Sequence, residues 1–188
     1  MIPLARRIAR AGRGELAVYR LLNTYRGWDT AHTPVDDALW ALGQLEGELG
    51  PLPVCLVGHS LGGRAAVLAG THPQVSGVVA LNAWTYGNEH VRLPGRRVLF
   101  AHGDEDRIAP LERALKVASS LGRSARVTFT VVNGGKHAMI RSSRSFERLT
   151  IDFVTGALLG PAPAGTGAEE DNGVEAARPA PGFAIEHA

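Results

Sequence analysis

The chain has 188 residues, 45% of them hydrophobic, which suits one domain with a sizeable core. A formal net charge of +2 is too small to argue for a nucleic-acid partner or an acidic membrane surface. The single cysteine, Cys55, excludes an intramolecular disulfide, and no apolar run approaches membrane-spanning length. Taken in chain order, residues 3–11 read as a helix whose Arg6, Arg7 and Arg10, with Arg13 beyond its end, form a solvated basic face. Those arginines interrupt the place where a signal peptide needs an apolar segment, so cytoplasmic residence is the expectation. Residues 16–22 read as a strand. Thr33 and Pro34 read as a helix cap and first helical residue, opening a helix to about Leu49. A strand at 53–60 carries Cys55 as a buried structural thiol, and a helix follows at 61–70. Further strands are predicted at 77–81, 97–102 and 126–132, with a helix at 110–121 between the last two. Phe146, Leu149, Phe153 and Ala157 lie at helical spacing in a final helix at 143–159.

This alternation of apolar runs and amphipathic stretches is the mark of an α/β protein. The predicted fold is an open, mostly parallel sheet with helices on both faces. After Gly160 the chain turns to Pro, Ala, Gly and Glu, too poor in bulky apolar residues to offset its chain entropy. Residues 1–160 are therefore expected to form the domain and 161–188 a disordered tail.

The most informative stretch is Gly58-His59-Ser60-Leu61-Gly62, where an apolar run ends and an Ala-rich helical pattern begins. A strand, a sharp turn and a helix in that order are what a nucleophile elbow needs. Gly58 and Gly62 are expected where a side chain would collide with the neighbouring strand or helix. The turn puts Ser60 and the Leu61 N–H at a helix N-terminus, which favours developing negative charge. The simpler reading is a tight turn whose serine only caps the helix.

A serine hydroxyl needs a base, and the base needs an acid to orient it. The strand at 97–102 runs into Gly103-Asp104-Glu105-Asp106, and the strand at 126–132 into Asn133-Gly134-Gly135-Lys136-His137. In a parallel sheet both loops fall at the carboxyl edge beside the elbow. Asp104 and Asp106 are both candidates for the acid, and His137 is the candidate base. His59 and His102 belong to motif positions that pack or hydrogen-bond locally. His32, His72 and His90 read as surface residues, and His187 lies in the tail. No pair of histidines has the helical spacing of a zinc site, so no metal is expected.

These residues resemble those of the α/β-hydrolase superfamily over residues 3–160. Gly58-His59-Ser60-Leu61-Gly62-Gly63 resembles its elbow, His102-Gly103-Asp104-Glu105-Asp106 with Pro110 its acid loop, and Gly134-Gly135-Lys136-His137 its histidine loop. Tyr25-Arg26-Gly27-Trp28 resembles the loop after an earlier strand. The likeness is to small lidless esterases of the dienelactone-hydrolase type, with serine in place of that group's cysteine. It implies a Ser60, Asp106, His137 triad, Asp104 as a loop-capping side chain, and Leu61 as one oxyanion donor. No cofactor is implied.

The resemblance is incomplete. The family's second oxyanion donor follows a strand that this chain lacks, between those predicted at 16–22 and 53–58. Either that strand lies upstream of Met1, the favoured reading, or the two flanking strands pair directly and another group donates. Only residues 82–96 separate two strands where larger hydrolases insert a lid, so the pocket is expected to be open, with His59, Trp84 and Tyr86 as candidate lining residues. The expected function is a serine hydrolase acting on a small acyl substrate, an ester or thioester, through an acyl-enzyme. The alternatives are a non-catalytic hydrolase-fold module, and an acyltransferase or cofactor-free haloperoxidase on the same triad. The sequence sets no oligomeric state.

Overall fold

The computed structural model describes residues 1–140, 142–160 and 183–188. Among them is a wholly parallel sheet with strands in chain order: β1 (Val54–His59), β2 (Val75–Leu81), β3 (Arg97–Gly103), β4 (Arg126–Val132) and β5 (Phe183–His187). The helices are α1 (Ile2–Ala11), α2 (Thr33–Leu49), α3 (Leu61–Ala69), α4 (Leu111–Leu121) and α5 (Ser143–Leu158).

Successive side chains of a strand point to opposite faces, and here each face meets its own helices. Val78, Ala80, Val98, Phe100, Val127 and Phe129 pack with α3 and α4, beneath Leu42 of α2. Val79, Leu81, Leu99 and Ala101 pack with Leu4 and Ile8 of α1 and with Phe146 and Val154 of α5. Burial on both faces is why the central strands read as almost unbroken apolar runs. As expected, Arg6, Arg7, Arg10 and Arg13 face solvent, and Arg7 reaches Glu147 of α5 at 2.9 Å. Cys55, expected to be buried, is half-buried, and burial pushes its thiol up to about 12, which keeps it protonated.

Four expectations differ. Residues 16–22 form no strand: Leu16 and Val18 are partly buried against the α1/α5 layer, while Tyr19, Leu21 and Leu22 face solvent. A strand exists only where a neighbour completes its ladder, and β1 pairs with β2 alone among the described residues. Direct pairing of the two flanking strands is therefore not what this sheet does, and no strand precedes the loop containing Tyr25-Arg26-Gly27-Trp28. Thr33 is not the cap of α2 but its first residue. His32, with φ of 60°, occupies the cap position, and the Asp29 carboxylate takes the Thr33 N–H and hydroxyl. Finally, residues 183–187, placed by composition in a tail, pair in parallel with β4, because backbone pairing makes no demand on side-chain character. Residues 161–182 of that expected tail lie outside the described residues.

The β2–β3 connection, residues 82–96, contains no helix, as the open-pocket reading expects. Because all the strands are parallel, the turns that follow β1, β3 and β4 share one edge of the sheet. That edge carries the site.

Candidate active site

The turn after β1 is tight. Ser60 has φ of 55° and ψ of −122°, a conformation that non-glycine residues hold only when their surroundings over-determine it. Those surroundings are visible. The Ser60 N–H donates to the Leu81 carbonyl, and the Ser60 carbonyl accepts from Gly63, Arg64 and Trp84. At Gly58 a Cβ would land on the backbone carbonyl of Gly62, so no side chain fits there. Gly62 differs from expectation: a Cβ there would meet nothing. The second crowded position of the turn is Gly63, where a Cβ would lie 3.0 Å from the Ala83 methyl. Leu61 is the first helical residue of α3, and its N–H has no intrahelical acceptor.

Three side chains from separate strand ends meet in line. Ser60 Oγ lies 2.9 Å from His137 Nε2, and His137 Nδ1 lies 2.8 Å from Asp106 Oδ2. Asp106 Oδ1 accepts from the Ile108 and Ala109 N–H groups at 2.8 and 2.9 Å. Burial of Asp106 pushes its carboxyl up, but those two N–H groups and the His137 ring outweigh that and hold it below the usual carboxylate range. An ionised Asp106 only accepts, so His137 Nδ1 carries the proton and Nε2 is left to accept from the Ser60 hydroxyl. The loop-capping role expected of Asp104 belongs instead to Asp106, which caps the loop with one oxygen and meets His137 with the other. Asp104 is exposed.

The other candidates are placed as follows. The His59 Nε2–H donates to the His137 carbonyl at 2.7 Å, its ring centroid 4.9 Å from that of His137. His102 is fully buried and donates from Nε2 to the Ala109 carbonyl at 2.9 Å. Trp84 and Tyr86 sit edge to face on the loop after β2, Trp84 half-buried and Tyr86 exposed. No group of three or more His, Cys, Asp or Glu able to hold a metal occurs among the described residues.

Sequence reading missed the cluster one turn along α3. The Arg64 guanidinium is buried between the Trp28 ring, 4.0 Å away, and the Tyr86 ring, 4.4 Å away. Its Nε donates to Glu89 at 2.9 Å, and Glu89 also takes the Tyr86 and Gly87 N–H groups. The ion pair ties the 82–90 loop to α3, and the guanidinium–ring contact ties the loop containing Trp28 to it. An arginine alone in an Ala-rich helix was the available signal.

A pH prediction follows from these rings. Burial holds both His59 and His102 below the ordinary histidine range, outweighing their carbonyl partners. The unfolded chain takes up protons near pH ~6.5 while the folded chain resists, so stability is complete above that value and falls below it. Asp106, depressed in the fold, adds stability present above about pH 3.9 that is lost as pH falls through its folded value. Thermal midpoints are expected to hold steady from about pH 8 to 7 and then to fall with acidification. A midpoint that rises toward pH 5 would contradict the buried neutral rings.

No family model and no curated protein matches the chain. Solved structures do. A predicted CIB-like hydrolase from Thermoplasma acidophilum is 19% identical with a TM-score of 0.51, covering 69% of this chain and 64% of that one. An α/β serine hydrolase homologue from Coxiella burnetii is 18% identical with a TM-score of 0.61, covering 79% and 74%. A putative α/β hydrolase from Agrobacterium tumefaciens is 15% identical with a TM-score of 0.64, covering 85% and 80%. The chain has the α/β-hydrolase fold. It spans less than two thirds of the length of the first of these structures.

Proposed function

We propose that the chain is a serine hydrolase that cleaves a small ester or thioester through an acyl-enzyme. The observation that supports it is the continuous line from Ser60 through His137 to Asp106, built on a strained turn at the head of α3. Ser60 Oγ attacks the substrate carbonyl carbon while His137 Nε2 takes the hydroxyl proton. The imidazolium is held by Asp106, and the Leu61 N–H faces the developing oxyanion at the positive end of the helix. Collapse expels the alcohol or thiol, which leaves with the proton from His137. A water, deprotonated by the same ring, then hydrolyses the acyl-Ser60 ester. Trp84 and Tyr86, edge to face on the loop after β2, are the candidate lining residues of an open pocket. Among the described residues no helix is long and apolar enough to cross a membrane, and the proposed substrate is a small molecule in solution.

The test is covalent. A fluorophosphonate probe, followed by peptide mapping, is expected to label Ser60 and to fail on Ser60→Ala. Labelling elsewhere would overturn Ser60 as the nucleophile, and none on the folded protein would overturn the reading in favour of a non-catalytic module. Product analysis with an added alcohol or thiol acceptor separates hydrolysis from acyl transfer.

A further inference from the structure

The residue just past the end of β2, Asn82, is completely buried and has φ of 42°, left-handed backbone that a side chain rarely adopts. Its N–H continues the ladder to the Ala101 carbonyl of β3. Its side chain reaches both neighbouring loops. Oδ1 accepts from the Gly103 N–H at 2.8 Å, and Nδ2 donates to the Lys136 carbonyl at 3.0 Å and the His137 carbonyl at 3.2 Å. The partners set the amide orientation: the Gly103 N–H requires an acceptor and the two carbonyls require donors.

Each bond acts on a loop that carries part of the site. Gly103 opens the acid loop, and its carbonyl accepts from the Asp106 N–H at 3.2 Å. The His137 carbonyl belongs to the base residue itself. It takes a second donor from His59 Nε2, so both its lone pairs are occupied and the peptide after His137 is held against rotation. This rigid, planar carboxamide joins the acid loop to the two carbonyls at the base residue, beyond the direct backbone bond from the Glu105 N–H to the Gly135 carbonyl at 3.0 Å. We propose that Asn82 is a positioning residue that clamps His137 against Asp106 by bridging Gly103 to the Lys136 and His137 carbonyls. Its strained backbone is the cost of aiming the carboxamide at both loops. An aspartate in its place would set a carboxylate against two carbonyl oxygens, and an aliphatic residue would leave the buried Gly103 N–H without its acceptor and take one donor from each of the two carbonyls. The inference rests on the serine-hydrolase reading for its kinetic consequence, but not for its geometry.

The test uses Asn82→Gly, which removes the bridge while relieving the left-handed backbone, and Asn82→Asp, which keeps the volume and the acceptor. Two readouts go beyond stability. The first is the fluorophosphonate labelling rate, divided into a maximal rate and a half-saturating probe concentration. The second is the downfield proton NMR signal of the His137 Nδ1–H on Asp106, assigned by its loss in Asp106→Asn. Folded variants are expected to label about tenfold to a hundredfold more slowly at saturation, with half-saturation unchanged, and to lose the proton signal. A folded Asn82→Gly that labels at the wild-type rate and keeps the signal would overturn the clamp. If neither variant folds, Asn82 serves stability alone and the clamp is likewise overturned. Should the wild type itself not label, the serine-hydrolase reading fails while the proton signal still decides the clamp.

Discussion

Asp106→Asn is expected to lower turnover about ten-thousandfold while leaving the fold intact. The size follows from how this carboxylate is held. Oδ1 is fixed by the Ile108 and Ala109 N–H groups, so an asparagine keeps its carbonyl oxygen there and turns its amide nitrogen toward His137. That presents a donor to His137 Nδ1, now 2.8 Å from a carboxylate oxygen. The ring answers by moving its proton to Nε2, where it faces the Ser60 hydroxyl and accepts nothing. Asp104→Asn changes an exposed side chain that has no part in this line and is expected to leave turnover within about twofold. Rates on a short chromogenic ester decide the matter. Equal losses from the two variants would show that Asp106 does not orient the base.

Gly58→Ala is expected to cost about 3 kcal/mol, or roughly 10 °C in thermal midpoint, and to displace the turn at Ser60. Its Cβ would overlap the Gly62 carbonyl and come within 2.6 Å of the Gly63 nitrogen, and both are backbone atoms that cannot swing aside as a side chain can. Gly62→Ala is the matched control. Its Cβ would enter open space at a helical position, where alanine is favoured over glycine by about 0.5–1 kcal/mol, so a small gain in stability is expected. Thermal unfolding of both proteins measures the contrast. A Gly58→Ala variant as stable as wild type would mean that strand and helix do not meet as closely as described.

The elbow, the acid loop and the histidine loop were legible because each is local: a strand ends, a turn of fixed chemistry follows, and one of the candidate residues Ser60, Asp106 and His137 stands in it. β4 follows its predicted bounds, and α3, α4 and α5 differ from theirs by a residue. Apolar periodicity reports burial, and burial of both sheet faces governs these elements. The same reasoning placed Ser60, Asp106 and His137 at one sheet edge, since parallel strands bring their carboxyl ends together.

Where neighbours decide, the sequence alone was insufficient. Residues 16–22 have a strand's composition but no paired neighbour, whereas 183–187 gain one in β4. Choosing Asp106 over Asp104 needed the family likeness, because both carboxylates lie in one loop and only the folded loop turns one of them toward His137. Crowding at Gly58 but not Gly62, the Arg64–Glu89 pair and the Asn82 bridge all depend on distances between segments far apart in the chain. Local pattern thus determined which residues could form strands and turns and which serine stands at a strand-to-helix turn. The tertiary structure decided which backbone groups found partners and which side chains met, because hydrogen bonds and ion pairs act over a few ångströms of space, whatever the separation in sequence.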